Sequence, residues 1–566
     1  MRTPSSLRTE LEEALNRVLR DEWSNSLPKD FTACVAESDN RDFGDLTCNC
    51  AMQLAGILKQ NPRKIAEEIL KNADMPDGIS TTSVDGPGFL NFTLSGEYLV
   101  QNSLGFAALG LQSYIPDLGG GGEALVEYVS SNPTGPLTVG HCRQAVLGEA
   151  LASLLESTGW KVSREYYFND GGRQMRLLGE SLAARYESIG PFDISPPEDG
   201  YQGEYVKEWA QDLRKSEGAG LSWNDDPQQF IHYARERALQ MIKEDLALLD
   251  ITFDRFFAES ELIPDSVEAA IEALSAANAE QDGLVYKDPE DDRKKWLRLT
   301  SLGRPKDRVI VREDGSYTYR MPDIAYHIDK FERGYDLIVD VFGADHLDTS
   351  RDVTAALGAL LGDDEVNERL RVVIHQFVTL LRDGGRTKMS TRTGNFVTMG
   401  ELVEDVGSAD VTRYLFLTRR AEAHMDFDLD LARKQSMDNP VYYVQYAHAR
   451  IAGILEKAAE QGIRIAGEYS DELAAMLDGD HERELMRLLE SVPMEVASAS
   501  AALEPHRITE TLAKLATGFH RFYQKVPVVN CEEPRLSSAR LILCEACRRS
   551  IADLLGILGV EAPDEM

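Results

Sequence analysis

Between residues 124 and 168 a strand, a tight loop, a helix and a second strand follow one another so closely that the segment reads as one βαβ unit. Ala124-Leu125-Val126-Glu127-Tyr128-Val129 is a short β-rich run. A helical run follows with apolar positions Val146, Leu147, Ala150, Leu151, Leu154 and Leu155, closed by Gly159, and Trp160 to Phe168 is β-rich again. The crossover of such a unit is almost always right-handed. Its loop, Asn132-Pro133-Thr134-Gly135-Pro136-Leu137-Thr138-Val139-Gly140-His141-Cys142-Arg143, lies at the carboxyl end of the first strand, where open α/β sheets bind ligands. Gly140 has no Cβ, so a planar ligand can lie against the backbone there. His141 falls at the helix N-terminus, where amide dipoles favour an anion such as phosphate. The loop reads as a nucleotide site.

A chain of 566 residues is expected to hold several domains rather than one core. A net charge of −35 argues against coating nucleic acid through bulk electrostatics. A local basic track remains open to it, because screening confines charge effects to roughly 10 Å. No run reaches the roughly 18 apolar residues of a membrane span, and the N-terminus has no apolar signal-peptide core. Seven scattered cysteines do not make a disulfide framework, so the expected compartment is a reducing cytoplasm.

Residues 1–118 read as a small α+β domain. Its expected elements are a helix from Leu7 to Leu19, a strand over Phe31–Ala36, a turn at Asp42-Phe43-Gly44-Asp45, and a helix from Cys50 to Leu58. Another helix starts near Pro62, and Gly86-Pro87-Gly88-Phe89-Leu90-Asn91-Phe92 is a turn and strand. Cys48 and Cys50 stand one residue apart, a poor zinc spacing, and no structural metal is expected. Gly119-Gly120-Gly121-Gly122 reads as a linker. A second domain spans 123–430, with 174–305 a mostly helical insertion. Strands are expected at Val309–Val311, Leu337–Phe342 and Val372–Leu380, with Gly315–Tyr319 a turn into a strand and Asp323 opening a helix. Asp345 and His346 fall at the end of one strand, where sites are built. Arg382 to Asn395 is a polar, glycine-rich loop with four basic residues, either a clamp for phosphate oxygens or a solvated hairpin. Residues 436–566 run helix after helix, a third, all-α domain, with Cys544 and Cys547 facing its core.

Two of these loops together resemble the signatures of class I aminoacyl-tRNA synthetases, here Thr138-Val139-Gly140-His141 and Lys388-Met389-Ser390-Thr391-Arg392. The flanking segments Glu127-Tyr128-Val129-Ser130-Ser131-Asn132-Pro133 and Gly394-Asn395-Phe396-Val397-Thr398 are similar to those of the arginyl-tRNA synthetase family. So are Asn439-Pro440-Val441-Tyr442-Tyr443-Val444-Gln445-Tyr446-Ala447-His448-Ala449-Arg450, which resembles the opening of its anticodon-binding domain, and Asp42–Asp45 and Gly88–Phe92, which resemble its N-terminal domain. The resemblance covers nearly the whole chain. It implies a Rossmann-like parallel-sheet catalytic domain, a small N-terminal domain that contacts tRNA, and a helical anticodon-binding domain.

The resemblance also implies a reaction: arginine is activated by ATP to arginyl-adenylate and passed to the 2′-hydroxyl of the terminal adenosine of tRNA(Arg). His141, Lys388 and Ser390 would serve catalysis, and Thr138, Gly140, His141, Lys388, Met389, Ser390 and Arg392 would hold ATP, which brings Mg2+. Glu127, Asn132, Tyr319, Asp323 and Asp345 would bind arginine, since a guanidinium pairs best with planar carboxylates. For Glu127, Tyr319 and Asp323, taken without the motifs, a surface carboxylate or a satisfied core tyrosine is the competing reading. Phe89 and Asn91 would meet a tRNA loop base, unless Phe89 is simply core. Tyr442, Tyr446, Arg450, Arg535, Arg540, Arg548 and Arg549 would form an anticodon track, unless the tyrosines are core. The expected partners are tRNA(Arg), arginine and ATP, with no DNA and no membrane, the chain acting as a monomer.

Two positions depart from the family's signatures. Thr138 stands where the first histidine would be, and Thr391 where the second lysine would be, with Arg386 or Arg392 left to supply the charge. A cysteine-specific relative would need zinc thiolates that are missing beside His141 and Asp345. A glutamate-specific one would need cations where Glu127 and Asp323 stand. An adenylate-forming paralogue and a non-catalytic tRNA-binding protein are the remaining alternatives.

Overall fold

The structure, a computed structural model, describes residues 3–28, 30–38, 40–188, 196–277, 283–386 and 397–566. Lys388, Met389, Ser390, Thr391 and Arg392 lie outside the described residues. The chain divides into two compact units, one of Gly119–Lys434 with Leu503–His506, the other of Met1–Leu118, Gln435–Ala502 and Arg507–Met566. No described helix is long and apolar enough to cross a membrane.

The first unit is built on a five-stranded parallel sheet of β1 (Glu123–Glu127), β2 (Lys161–Phe168), β3 (Arg255–Ala258), β4 (Leu337–Gly343) and β5 (Leu370–His375). Their order across the sheet is β5-β4-β1-β2-β3. Strand order therefore reverses between β1 and β4, and the crevice beyond their carboxyl ends is where such sheets take ligands. Ala124, Leu125 and Val126 are buried one after another, as expected for a parallel strand covered on both faces. The helices that matter to the site are α1 (Val139–Ser157), α2 (Arg320–Glu332) and α3 (Leu347–Leu361). α2 and α3 share one apolar core with Leu125, Phe257 and Ile338. α1 comes so near the end of β1 that a Cβ on Gly148 would stand 2.2 Å from Tyr128 Cγ, so only glycine fits.

Four expectations are corrected. The stretch 174–305 carries helices Gly172–Ser188, Glu204–Glu217, Pro227–Ala247 and Asp265–Ala276, but it also contains β3 of the main sheet. Its strands Val285–Lys287 and Lys295–Leu297 join Arg308–Val311 in a separate antiparallel sheet. Strands this short leave no readable period in a sequence. Gly315–Tyr319 makes one bridge, Tyr317 to Val311, and Tyr319 already caps α2. Val372–Leu380 is two strands, β5 and β6 (Val378–Arg382), in different sheets; β6 pairs with β7 (Gly385–Arg386) and β8 (Met425–Asp428). The break between them is held by Arg143, a buried guanidinium that donates to the carbonyls of Gln376 (2.6 Å), Arg420 (3.0 Å) and Ala423 (3.1 Å). Finally, Phe31–Val35 is not a strand. Asn16 and Glu12 of the helix Pro4–Trp23 accept from the N–H groups of Ala33 (2.7 Å) and Val35 (2.8 Å), replacing a strand partner.

In the second unit a four-stranded antiparallel sheet (Ala36–Glu37, Leu46–Cys48, Phe89–Leu94, Ile79–Asp85, in that order) accompanies long helices, among them Pro440–Glu460, Asp480–Ala502 and Pro534–Ile557. Asp45, from the Asp42–Asp45 turn, ties the sheet to these helices. It accepts from the Leu94 N–H at 2.8 Å and pairs with Arg487 at 2.8 Å. Cys544 and Cys547 are buried, as expected.

Candidate active site

A cavity of about 720 Å³ opens at the β1/β4 switch point. Glu127, Asn132, Thr138, Gly140, His141, Tyr319, Asp323, Asp345 and His346 all line it. Beyond β1 the chain turns at Val129 and Ser130, with φ of 67° and 42°. That left-handed backbone is uncommon for a β-branched residue and is found where surrounding structure holds a functional turn. Asn132 is fixed from both ends: its amide donates to Gln174 at 2.7 Å and accepts from the Asn169 N–H at 3.1 Å. At Gly140 a Cβ would meet nothing nearer than Thr138 Oγ1 at 3.7 Å, leaving that space to a ligand.

His141 has its Nδ1 occupied as an acceptor by the Thr138 N–H at 3.2 Å, with Thr138 Oγ1 3.3 Å away. Burial pushes its pKa down to about 4, against an opposing pull from Asp345. A neutral ring whose Nδ1 accepts carries its proton on Nε2, so His141 presents one N–H donor to the cavity. The chain returning from the second signature is bonded to the same loop. Val139 N–H donates to Val397 (3.2 Å), Met399 N–H to Leu137 (2.7 Å), and Thr138 bridges Thr398.

Beneath the loop, Asp340 of β4, Glu127 of β1 and Glu165 of β2 are register neighbours on three adjacent strands. Three buried carboxylates in a row need counter-charge. α2 and its cap supply it at one-turn intervals. Lys330, with no exposed surface, bonds Glu127 and sits 2.6 Å from Asp340; His327 Nε2 is 2.8 Å from Asp340; Arg333 forks onto Glu165 at 2.7 and 2.8 Å. Burial raises the Asp340 carboxyl, but Lys330 and His327 outweigh it and hold it well below the usual range. Glu127 is raised by burial despite Lys330. Its other oxygen accepts from Ser130 Oγ at 2.7 Å.

Asp323, one turn above His327, is different: among the described residues no donor or cation bonds its carboxylate. Burial pushes its pKa up to about 7, with His327 pulling against it. Glu259, just past β3, meets only neutral donors among the described residues, Tyr167 Oη at 2.8 Å and Asn169 Nδ2 at 2.6 Å, and is raised by burial. Among the described residues, then, Asp323 and Glu259 line the cavity with no cation paired to either. No sequence signal points to Glu259, because β3, which leads into it, is too short to show a period. His375 likewise lacks a motif around it. It is buried at the end of β5, its pKa pushed down to about 4 by burial, its Nδ1 3.3 Å from the Gln376 carbonyl and its Nε2 without a partner among the described residues.

In the other unit Phe89 is partly exposed, whereas Asn91 is buried, its amide spent on Asp85 (2.9 Å) and Thr47 (2.9 Å). Tyr442 is half-buried. Arg450 lies over Tyr523 at 4.5 Å and Tyr446 at 5.8 Å, and Tyr443 packs on His520 at 5.1 Å. Arg535, Arg540, Arg548 and Arg549 each already pair with a carboxylate, on Glu472, Glu482, Glu545 and Glu545.

Residues 116–413 match the model of the class I (R) tRNA synthetase catalytic domain, 5–94 that of the arginyl tRNA synthetase N terminal domain, and 444–566 that of the DALR anticodon binding domain. The chain is 39% identical to the arginine–tRNA ligase of Desulfotalea psychrophila, over 99% of this chain and 100% of that one. It is 41% identical to that of Salinibacter ruber, over 99% of each. The arginyl-tRNA synthetase structure from Thermus thermophilus aligns with 99% of this chain and 100% of its own at a TM-score of 0.77 and 22% identity, a likeness of fold. With its three family models in order along the chain and its site assembled at the β1/β4 switch point, this chain belongs to the arginyl-tRNA synthetase family.

Proposed function

We propose that the chain charges tRNA(Arg) with arginine in two steps. An oxygen of the arginine carboxylate attacks the α-phosphorus of ATP, the bond to the β-phosphate oxygen breaks, and pyrophosphate leaves. The 2′-hydroxyl of the terminal adenosine then attacks the carbonyl carbon, the bond to the phosphate oxygen breaks, AMP leaves, and the hydroxyl proton is released. Both steps move negative charge on phosphate oxygens, so positioning and fixed dipoles carry most of the catalysis. His141 donates from Nε2 to a phosphate oxygen. Lys388, Ser390, Met389 and Arg392 act on the phosphates from the second signature, and Mg2+ arrives as part of the ATP complex.

The observation that carries the arginine assignment is the pair Asp323 and Glu259. A guanidinium is always charged, and this cavity offers it carboxylates with no cation of their own. Lys330 neutralises Glu127 from below, so Glu127 shapes the floor and offers its remaining lone pairs. Tyr319 lies at the mouth, 59% exposed. Asn132 and Asp345 line the same cavity and face the rest of the arginine. On the tRNA side the exposed Phe89, backed by Asn91, and the Arg450 face with Tyr442 and Tyr446 meet loop bases by stacking. The chain acts as a monomer in the cytoplasm.

The test is amino-acid-dependent exchange of labelled pyrophosphate into ATP with tRNA(Arg) present. Arginine is expected to support exchange, and citrulline, its neutral isostere, to fall short by roughly 10⁴, the penalty for leaving built polar groups unpaired. Equal exchange with citrulline would end the carboxylate assignment.

A further inference from the structure

Three helices of the insertion each place one side chain on the loop that carries the first signature. Gln174, of Gly172–Ser188, accepts from Asn132 Nδ2 at 2.7 Å. Tyr205, of Glu204–Glu217, donates its hydroxyl to the Thr134 carbonyl at 2.8 Å. Asp245, of Pro227–Ala247, accepts from the Leu137 N–H at 2.8 Å. The three helices share one apolar core that includes Leu178, Trp209, Leu213, Phe230 and Ala234. The first and third pack so closely that a Cβ on Gly179 would stand 2.6 Å from Ile231 Cγ1. Side chains mounted on a body packed this densely move together rather than one by one.

The Asp245 bond is the one that reaches His141. Leu137 is fully buried, with its N–H on Asp245 and its carbonyl accepting from the Met399 N–H at 2.7 Å. The N–H of the next residue, Thr138, is the donor to Nδ1 of His141. The peptide joining Leu137 to Thr138 is planar, so the direction of that N–H follows from the carbonyl on its other edge. Asp245 fixes the peptide plane before Leu137 and Met399 the plane after it. Both dihedrals of Leu137 are thereby pinned, and with them the aim of the imidazole. Neither Tyr205 nor Asp245 is among the described residues that line the substrate cavity. Burial pushes the Asp245 carboxyl up to about 6, with the Leu137 N–H pulling against it, and among the described residues no cation pairs with it. A half-buried carboxylate without a counter-ion is a cost to the fold. Its hydrogen bond goes to the stretch of main chain that aims His141.

We propose that Asp245 and Tyr205 are positioning residues for adenylate formation, fixing from the insertion the loop that aims His141 into the cavity. The proposal rests on the tRNA-charging reading, in which His141 Nε2 donates to a phosphate oxygen. Each of the two residues acts on the reaction only through the loop. Their loss is felt in turnover rather than in arginine binding, because the arginine side of the cavity has other supports. Asn132 keeps its own anchors, Gln174 and the Asn169 N–H, and Asp323 stands on α2. A reacting group misplaced by about 1 Å costs on the order of 10²-fold in rate, even when the cause lies far from the chemistry.

The experiment is arginine-dependent exchange of labelled pyrophosphate into ATP by the full chain with tRNA(Arg) present. Asp245→Leu removes the acceptor at similar volume. It is expected to lower kcat by about 10- to 100-fold, with the KM for arginine within about twofold. Asp245→Asn, whose amide oxygen still accepts from the Leu137 N–H, should recover most of that rate. Tyr205→Phe removes one neutral hydrogen bond and should lower kcat by about tenfold or less. The decisive readout is the cycle with His141. In a His141→Ala protein there is no imidazole to aim, so Asp245→Leu should cost less than about twofold further there. Tyr205→Phe, which takes away only a hydroxyl, carries the same cycle if Asp245→Leu does not fold. The same fractional loss with and without His141, or no loss in either background, overturns the proposal. So does Asp245→Asn falling as far as Asp245→Leu. Absence of arginine-dependent exchange in the unsubstituted protein would instead overturn the charging reading on which the proposal rests.

Discussion

The main-chain N–H of Thr138 points at Nδ1 of His141, 3.2 Å away, and so decides which imidazole nitrogen faces the cavity. One of the two departures of this chain from its family's signatures falls at Thr138, yet the hydrogen bond that orients His141 comes from the backbone, which any residue but proline supplies. Thr138→Ala should therefore lower the pyrophosphate-exchange rate by less than about tenfold, the worth of one neutral hydrogen bond. His141→Ala removes the donor itself and should cost on the order of 10²–10³, as for loss of an oxyanion donor. Equal losses in the two variants would contradict the tautomer argument.

Asp323 gives the proposed arginine site a pH signature. In the free protein its pKa stands near 7, against 3.8 for the ordinary group, so the empty fold prefers the protonated form. Its contribution to stability is full below about pH 4 and is lost as pH rises through 7. A bound guanidinium reverses the preference and expels the proton. The KM for arginine should rise as pH falls below about 7, up to about tenfold per unit, and level off above. Asp323→Asn should abolish that dependence and raise KM by about 10² or more, as when one partner of a buried charge pair is removed. A flat profile in the unsubstituted protein would exclude Asp323 from the guanidinium site.

Lys330 is the counter-charge to two strands at once. Replacing it with Met leaves Glu127 and Asp340 facing each other without a cation, at an expected cost of about 3–5 kcal/mol. Chemical denaturation followed by a probe in the Gly119–Lys434 unit should show this as a lowered midpoint. An unchanged midpoint would mean that the carboxylate row is relieved in some other way.

His375 offers a buried acceptor with no partner among the described residues. With Nδ1 donating to the Gln376 carbonyl, Nε2 carries a lone pair into the cavity. His375→Phe should raise the KM for ATP by about tenfold while leaving the KM for arginine within about twofold. An equal rise in both would mark a general disturbance of the cavity.

Much of this site is legible in the sequence because its residues sit next to strong local signals. Glu127, Asn132, Thr138 and His141 belong to one βαβ unit, and Tyr319 and Asp323 share a single turn at the start of α2. Lys330 is out of reach for another reason. Its spacing from His327 and Arg333 shows a basic helix face, but its partners come from β1 and β4, whose adjacency is a property of strand order. Glu259 and β3 stay hidden because four residues do not establish a period. Arg143 illustrates the same limit: it is buried on three carbonyls and fixes the chain where β5 gives way to β6, and those carbonyls come from segments far along the chain. The Cys48/Cys50 and Cys544/Cys547 pairs are all buried.

The most direct measurement is charging of total tRNA by the full chain with ATP and each of the twenty amino acids in turn. The account predicts that arginine alone is transferred, that the product is a 2′ ester of the terminal adenosine, and that Asp323→Asn loses the transfer at low arginine. Transfer of any other amino acid, or arginyl-adenylate formed without passage to tRNA, would contradict it.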